Sequence, residues 1–175
     1  MSINNFSNNP FYLVDEVTYA AVGNRIYVYT GGVLDAQIIG SGDKPSLKFI
    51  AAQVNSSLTG NRSLVLTNVS VKSSVYGGIV VSTSSDPAKP KISKKFIPGL
   101  DTVFDGDTNL SITNGKIKEI YGGGGGFGST VTGDATIDFN GGIVKSIYGG
   151  GSHRSIVEGD VLININGGSS SDSKV

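Results

Sequence analysis

The chain has 175 residues, with 14 basic and 14 acidic side chains, so no net field selects nucleic acid or an anionic membrane. Cysteine is absent, which excludes disulfide staples, thiol catalysis and cysteine metal sites. Hydrophobic residues make up 38% and glycines number 26, so the core is modest and backbone shape is specified at many points.

Residues 1–20 begin with the polar stretch MSINNFSNNP, which lacks the basic and apolar regions of a secretory signal. No stretch reaches the roughly 20 apolar residues of a membrane helix. These features predict assembly inside the cell without membrane insertion. The stretch NPFYLVDEV then offers Phe11, Leu13 and Val14 as an apolar docking segment, so residues 1–20 are read as an attachment extension.

From residue 21 the chain repeats itself. The clearest copies are FDGDTNLSITNGKIKEIYGGG from Phe104 and VTGDATIDFNGGIVKSIYGGG from Val131, which match without a gap. A third, VEGDVLININGG from Val157, gives way to serines, with Ser169, Ser170 and Ser173 at the places of Ile143, Val144 and Ile147. Looser copies begin at Ala21 (AVGNRIYVYTGG) and Leu58 (LTGNRSLVLTNVSVKSSVYGG). The anchor glycines are Gly23, Gly60, Gly106, Gly133 and Gly159. A Pro-, Ser- and Lys-rich insertion occupies residues 80–103.

Within a unit apolar residues alternate with polar ones, as at Leu64 and Leu66, Leu110 and Ile112, Ile137 and Phe139, and Ile163 and Ile165. A period of two is the mark of a strand. Asn114-Gly115, Gly141-Gly142 and Gly167-Gly168 follow as turn pairs, and a second short strand leads to Tyr76, Tyr121 or Tyr148. In the first unit either Tyr27 and Tyr29 or Ile26 and Val28 face inward. Repetition of this plan predicts an all-β parallel β-helix, a β-solenoid of about five irregular coils over residues 21–175. Tyr76, Tyr121 and Tyr148 should stack as a ladder. The half-built last unit would leave an open end and predicts a homo-oligomer, with a trimer the first expectation by analogy to fibres.

The conspicuous motifs have structural readings. Gly123 to Gly128 satisfy G-x-G-x-x-G, but STVTGDATIDF after them is strand-like, whereas a nucleotide loop needs a helix there. Asp107, Asp134 and Asp160 would stack at one corner and could hold calcium, yet Asn24 and Asn61 take that place in the first two units. We expect no cofactor and no metal. Lys72, Lys118 and Lys145 form a solvated ladder. Lys89, Lys91, Lys94 and Lys95 in the insertion, against Asp86 alone, are candidate contacts for an anionic glycan or a partner chain. His153, the lone histidine, has no nucleophile or carboxylate brought to it by the sequence.

The pattern "GD–strand–GG–strand–(I/V)YGGG" resembles the glycine-rich β-strand repeats of very large bacterial surface proteins. It does so well over residues 104–168 and poorly over 21–79. The resemblance implies a non-enzymatic adhesive or spacing role. The short chain, the missing export signal and the distinct first 20 residues point instead to a phage head or tail fibre, by analogy of architecture. The leading expectation is thus a structural or adhesive virion component that contacts other particle proteins and a glycan receptor. A fragment of a bacterial cell-surface adhesin is the alternative. A carbohydrate-active β-helix enzyme is third, as no paired acids and no tryptophan mark a sugar-cleaving groove.

Overall fold

The computed structural model describes residues 11–12, 17–22, 25–30, 35–39, 46–47, 50–84 and 91–170. Among these there is no helix. The strands are β1 (Phe11–Tyr12), β2 (Val17–Val22), β3 (Arg25–Thr30), β4 (Asp35–Ile39), β5 (Ser46–Leu47), β6 (Ile50–Ala51), β7 (Leu58–Thr59) and β8 (Arg62–Thr67). They continue as β9 (Ser70–Tyr76), β10 (Thr102–Asp105), β11 (Thr108–Tyr121), β12 (Ser129–Val131), β13 (Ala135–Tyr148), β14 (Ile156–Val157), β15 (Val161–Ile165) and β16 (Ser169–Ser170).

The expected closed parallel β-helix of five coils does not form. The strands divide instead into a ten-stranded sheet along β1-β6-β9-β11-β13-β15, a four-stranded sheet β14-β12-β10-β7, and a separate pair β2-β3. Two physical causes account for the difference. First, β2 and β3 pair antiparallel, with Val22 opposite Arg25, so the first unit is a hairpin and not a coil. Only Gly23 and Asn24 separate these strands, and a two-residue Gly-Asn spacing is a hairpin signal that anchoring on glycines overlooks. Second, Asn114-Gly115 does not turn the chain onto a new face. β11 runs through it as one 14-residue strand, with the register against β13 shifting between Ile112 and Lys116. Asn114 (φ 63°) and Gly115 (φ 113°) supply a bulge, which bends a strand without ending it. The choice between Tyr27 and Tyr29 or Ile26 and Val28 as inward residues concerns side chains outside those described.

Copies of the repeat do pair in parallel and in register. Leu110 lies between Leu64 and Ile137, and Ile112 between Leu66 and Phe139. Ile137 and Phe139 in turn pair with Ile163 and Ile165. All the inward members up to Phe139 are at most 2% exposed, so these columns form the main core together with Val71, Val75, Ile117 and Ile120. A second column crosses the small sheet, Leu58–Phe104–Val131–Val157 in chain order. Phe104 and Val131 there are fully buried beside Ile79 and Ala52. Burial of a side chain such as Phe104 is worth roughly 1.5–3 kcal/mol.

The glycine and GD motifs have a packing cause. A methyl on Gly122 would run into the carbonyl oxygen of Gly149, and one on Gly77 into that of Gly122. Successive YGG segments therefore lie backbone on backbone. At the GD pair, a methyl on Gly133 would strike the Asp107 carboxylate. That carboxylate accepts the Asp134 N–H at 2.9 Å, Asp134 accepts the Asp160 N–H at 2.8 Å, and Asn61 Oδ1 accepts the Asp107 N–H at 3.0 Å. Asn61 fills the role as an amide, so only the acceptor oxygen matters. Asp134→Asn should hence change stability by less than about 0.5 kcal/mol, whereas Asp134→Ala, which removes the acceptor, should cost about 1 kcal/mol. Urea denaturation of the two variants checks this.

The Tyr76, Tyr121 and Tyr148 rings stack at centroid separations of 5.0 and 4.8 Å, within 11° of parallel. Arg62 is the anomaly of the interior. Its side chain is 1% exposed, and Nη1 donates to the carbonyls of Tyr76 (3.3 Å) and Gly77 (2.7 Å), while Nε and Nη2 have no hydrogen-bond partner. Its counterparts in the next units are Thr108 and Ala135.

Candidate functional site

The segment 80–103 is rooted in the core at both ends. Val80 and Val81 are fully buried, and Val80 bridges to Val54 and Gly125. Ser82 pairs with Ile92, and Ser93, also fully buried, donates its N–H to the Val81 carbonyl at 2.9 Å. Thr102 and Val103 already belong to β10. Between these roots Lys91, Lys94 and Lys95 are exposed. Lys89 lies outside the described residues. Phe11 is placed only by its backbone, paired parallel with Ile50, and Leu13 and Val14 lie outside the described residues.

The root of this segment lifts Phe96 onto the outer face of the small sheet. Phe96 is 51% exposed and meets Phe127 edge to face, with centroids 5.8 Å apart at 72°. The Arg154 guanidinium sits 5.6 Å from the Phe127 centroid. In the adjoining row Val103 pairs with Thr130 and Thr130 with Ile156, so three neighbouring strands each present one side chain outward. Val103 and Ile156 are exposed at 38% and 55%. Asp101, Arg154 and Ser155 complete a groove of about 500 Å³. Ser155 Oγ is buried with no hydrogen-bond partner. The groove thus has an aromatic wall, an apolar floor, and one acid and one base at its rim.

Sequence reading missed this groove, because Phe96, Phe127 and Arg154 come from an insertion and two different turns. One signal was available. Counting back from each GD pair aligns Arg154 with Gly128, so an arginine stands where the preceding unit has glycine. Both adopt a left-handed backbone, Gly128 at φ 92° and Arg154 at φ 65°.

The run Gly123 to Gly128 leads into β12 and not into a helix, so no helix terminus is present to hold a phosphate. Among the described residues no group of three or more His, Asp or Glu is placed to hold a metal ion. His153 Nδ1 meets Ser152 Oγ at 3.2 Å, and no carboxylate among the described residues is hydrogen-bonded to it. Lys72, Lys118 and Lys145 are exposed.

A second surface lies at the end of the ten-stranded sheet. β15 pairs with β13, and among the described residues no strand covers its other side. Val161, Leu162, Ile163 and Ile165 are exposed at 47%, 53%, 37% and 68%. Ser169 and Ser170 pair with Ile143 and Val144, so the apolar second strand of the earlier units is replaced by serines. Among the described residues no helix is long and apolar enough to cross a membrane.

Comparison of the chain with protein-family models, with curated proteins and with solved structures gave no match.

Proposed function

We propose that this chain is a non-enzymatic structural and adhesive protein of a phage particle or cell surface. Its stacked repeats form a stiff body, the β15 edge joins it to copies of itself, and its outer face carries the attachment site. The apolar β15 edge carries the reading. Three large side chains exposed on one face, Val161, Ile163 and Ile165, beside strand backbone that is unpaired among the described residues, are a surface built for pairing, which monomers avoid. The repeated residues support it too. The Gly, Asp, Asn and Tyr positions that might suggest chemistry are all occupied in holding one unit to the next. The outer groove has one carboxylate, Asp101, whereas sugar cleavage uses two.

Multi-angle light scattering at micromolar concentration should return an oligomer, a trimer being the first expectation, and not a species near 18.0 kDa. Ile163→Lys with Ile165→Lys should return it to a monomer with an unchanged β-rich circular dichroism spectrum. A wild-type monomer overturns the self-association. Antibody labelling of purified phage particles and of intact bacterial cells identifies the surface. Decorated particles are the expected result, and decorated cells would assign the chain to the adhesin class.

A further inference from the structure

We propose that the groove between Phe96, Phe127 and Arg154 binds an acidic saccharide. Its pyranose ring would lie against the phenyl rings and its carboxylate against the Arg154 guanidinium. This rests on the adhesive reading and names the ligand class of its attachment site.

Four observations converge. Phe96 is half exposed, with Phe127 braced against its edge. A flat apolar ring beside polar groups matches the C–H face and hydroxyl rim of a sugar. The groove, at about 500 Å³, has the size of a small-ligand site and not of a protein interface. Arg154 makes no ion pair with a described residue, and Lys94 and Lys95 stand exposed immediately before Phe96. The groove itself sets Arg154 against Asp101, with the two lysines outside its lining; the Arg154 fork, beside the Phe127 ring, is the group that would receive a carboxylate, and Asp101 is left to accept hydrogen bonds from hydroxyls. Thr130, half-buried on the groove floor between Val103 and Ile156, offers a further polar side chain.

The backbone supplies an independent argument. A left-handed non-glycine residue costs on the order of 1–3 kcal/mol, and such strain is retained where the side chain is used. The preceding unit shows that glycine satisfies this position, yet Arg154 occupies it at φ 65°, next to His153 at φ 52°. Stability alone would favour glycine here.

Saturation-transfer NMR and titration calorimetry with tetragalacturonate, and with galactotetraose as the uncharged control, test the proposal. The acidic probe should bind at least about tenfold more tightly than the neutral one. Phe96→Ala and Arg154→Gln should each weaken binding about tenfold or more, with the fold intact by circular dichroism. Arg154→Gly separates function from structure: binding should be lost while the melting temperature holds or rises. The proposal is overturned by absence of binding to tetragalacturonate at about 10 mM, by equal binding of both probes, or by wild-type affinity in Arg154→Gly and Phe96→Ala. If oligomers still form by light scattering in any of these cases, only the ligand assignment falls.

Discussion

Phe139→Asp is expected to prevent folding, while the same change 26 positions on, in the adjacent strand, Ile165→Asp, leaves the fold in place. The two residues occupy one column, Leu66–Ile112–Phe139–Ile165, and pair directly. Phe139 is 2% exposed and Ile165 is 68% exposed. Removing a buried phenyl ring alone costs about 3–5 kcal/mol. An unpaired carboxylate in its place adds several more, and the total reaches the whole stability of a typical domain, about 5–15 kcal/mol. Ile165→Asp should cost less than about 1 kcal/mol, because it exchanges one exposed side chain for another. It should instead abolish association. Circular dichroism and urea melts of the two variants give the first comparison, and light scattering the second. A folded Phe139→Asp variant with wild-type stability would place the ring outside the core.

Arg62→Met should stabilise the protein. Burial pushes the Arg62 guanidinium down from its ordinary range to about 9, by desolvation of the charged form. The side chain stays charged at neutral pH, with two nitrogens unpartnered in the interior. Exchange of a buried charge for an apolar chain of similar volume is stabilising by about 1–4 kcal/mol in comparable sites. The loss of the Nη1 bonds to Tyr76 and Gly77 offsets about 1 kcal/mol of that. The sign with pH follows from linkage. A base whose folded pKa is depressed destabilises the fold fully below about pH 9, and the penalty is relieved as pH rises from about 9 toward the ordinary guanidinium range. The advantage of Arg62→Met over the parent should therefore be constant from pH 6 to 8 and shrink above pH 9. Burial also raises the Tyr76 and Tyr121 pKa values, an effect common to both proteins that cancels in the difference. A variant less stable than the parent at pH 7 would show that the guanidinium holds an interaction worth more than its desolvation.

The stacking register was legible in the sequence because it depends only on spacing. Repeats 27 and 26 residues apart place Ile137 over Ile163 and under Leu110, and the structure has those pairs. The serine replacement in the last unit was legible for the same reason. Closure was not, because it depends on what a glycine pair does to the chain. Asn114-Gly115 reads equally as a corner or as a bulge, and only the continuous pairing of β11 with β13 on both sides of it decides. The hairpin is hidden once Gly23 takes the role of Gly60 in the repeat, although Gly23 and Asn24 together make a two-residue connection. The groove was hidden because Phe96 and Arg154 are 58 positions apart and belong to no shared period.

The links from side-chain oxygen to backbone amide along the GD and GN pairs all point the same way. Asn61, Asp107 and Asp134 each accept from the unit that follows, never from the one before. A row of such links has a head and a tail. Asp160, at the head, has an exposed carboxylate, which makes it a seat for the backbone N–H of an incoming strand. A copy that pairs through this end would be held in the parallel sense, with the exposed Ile163 and Ile165 supplying the adhesion and Asp160 the orientation.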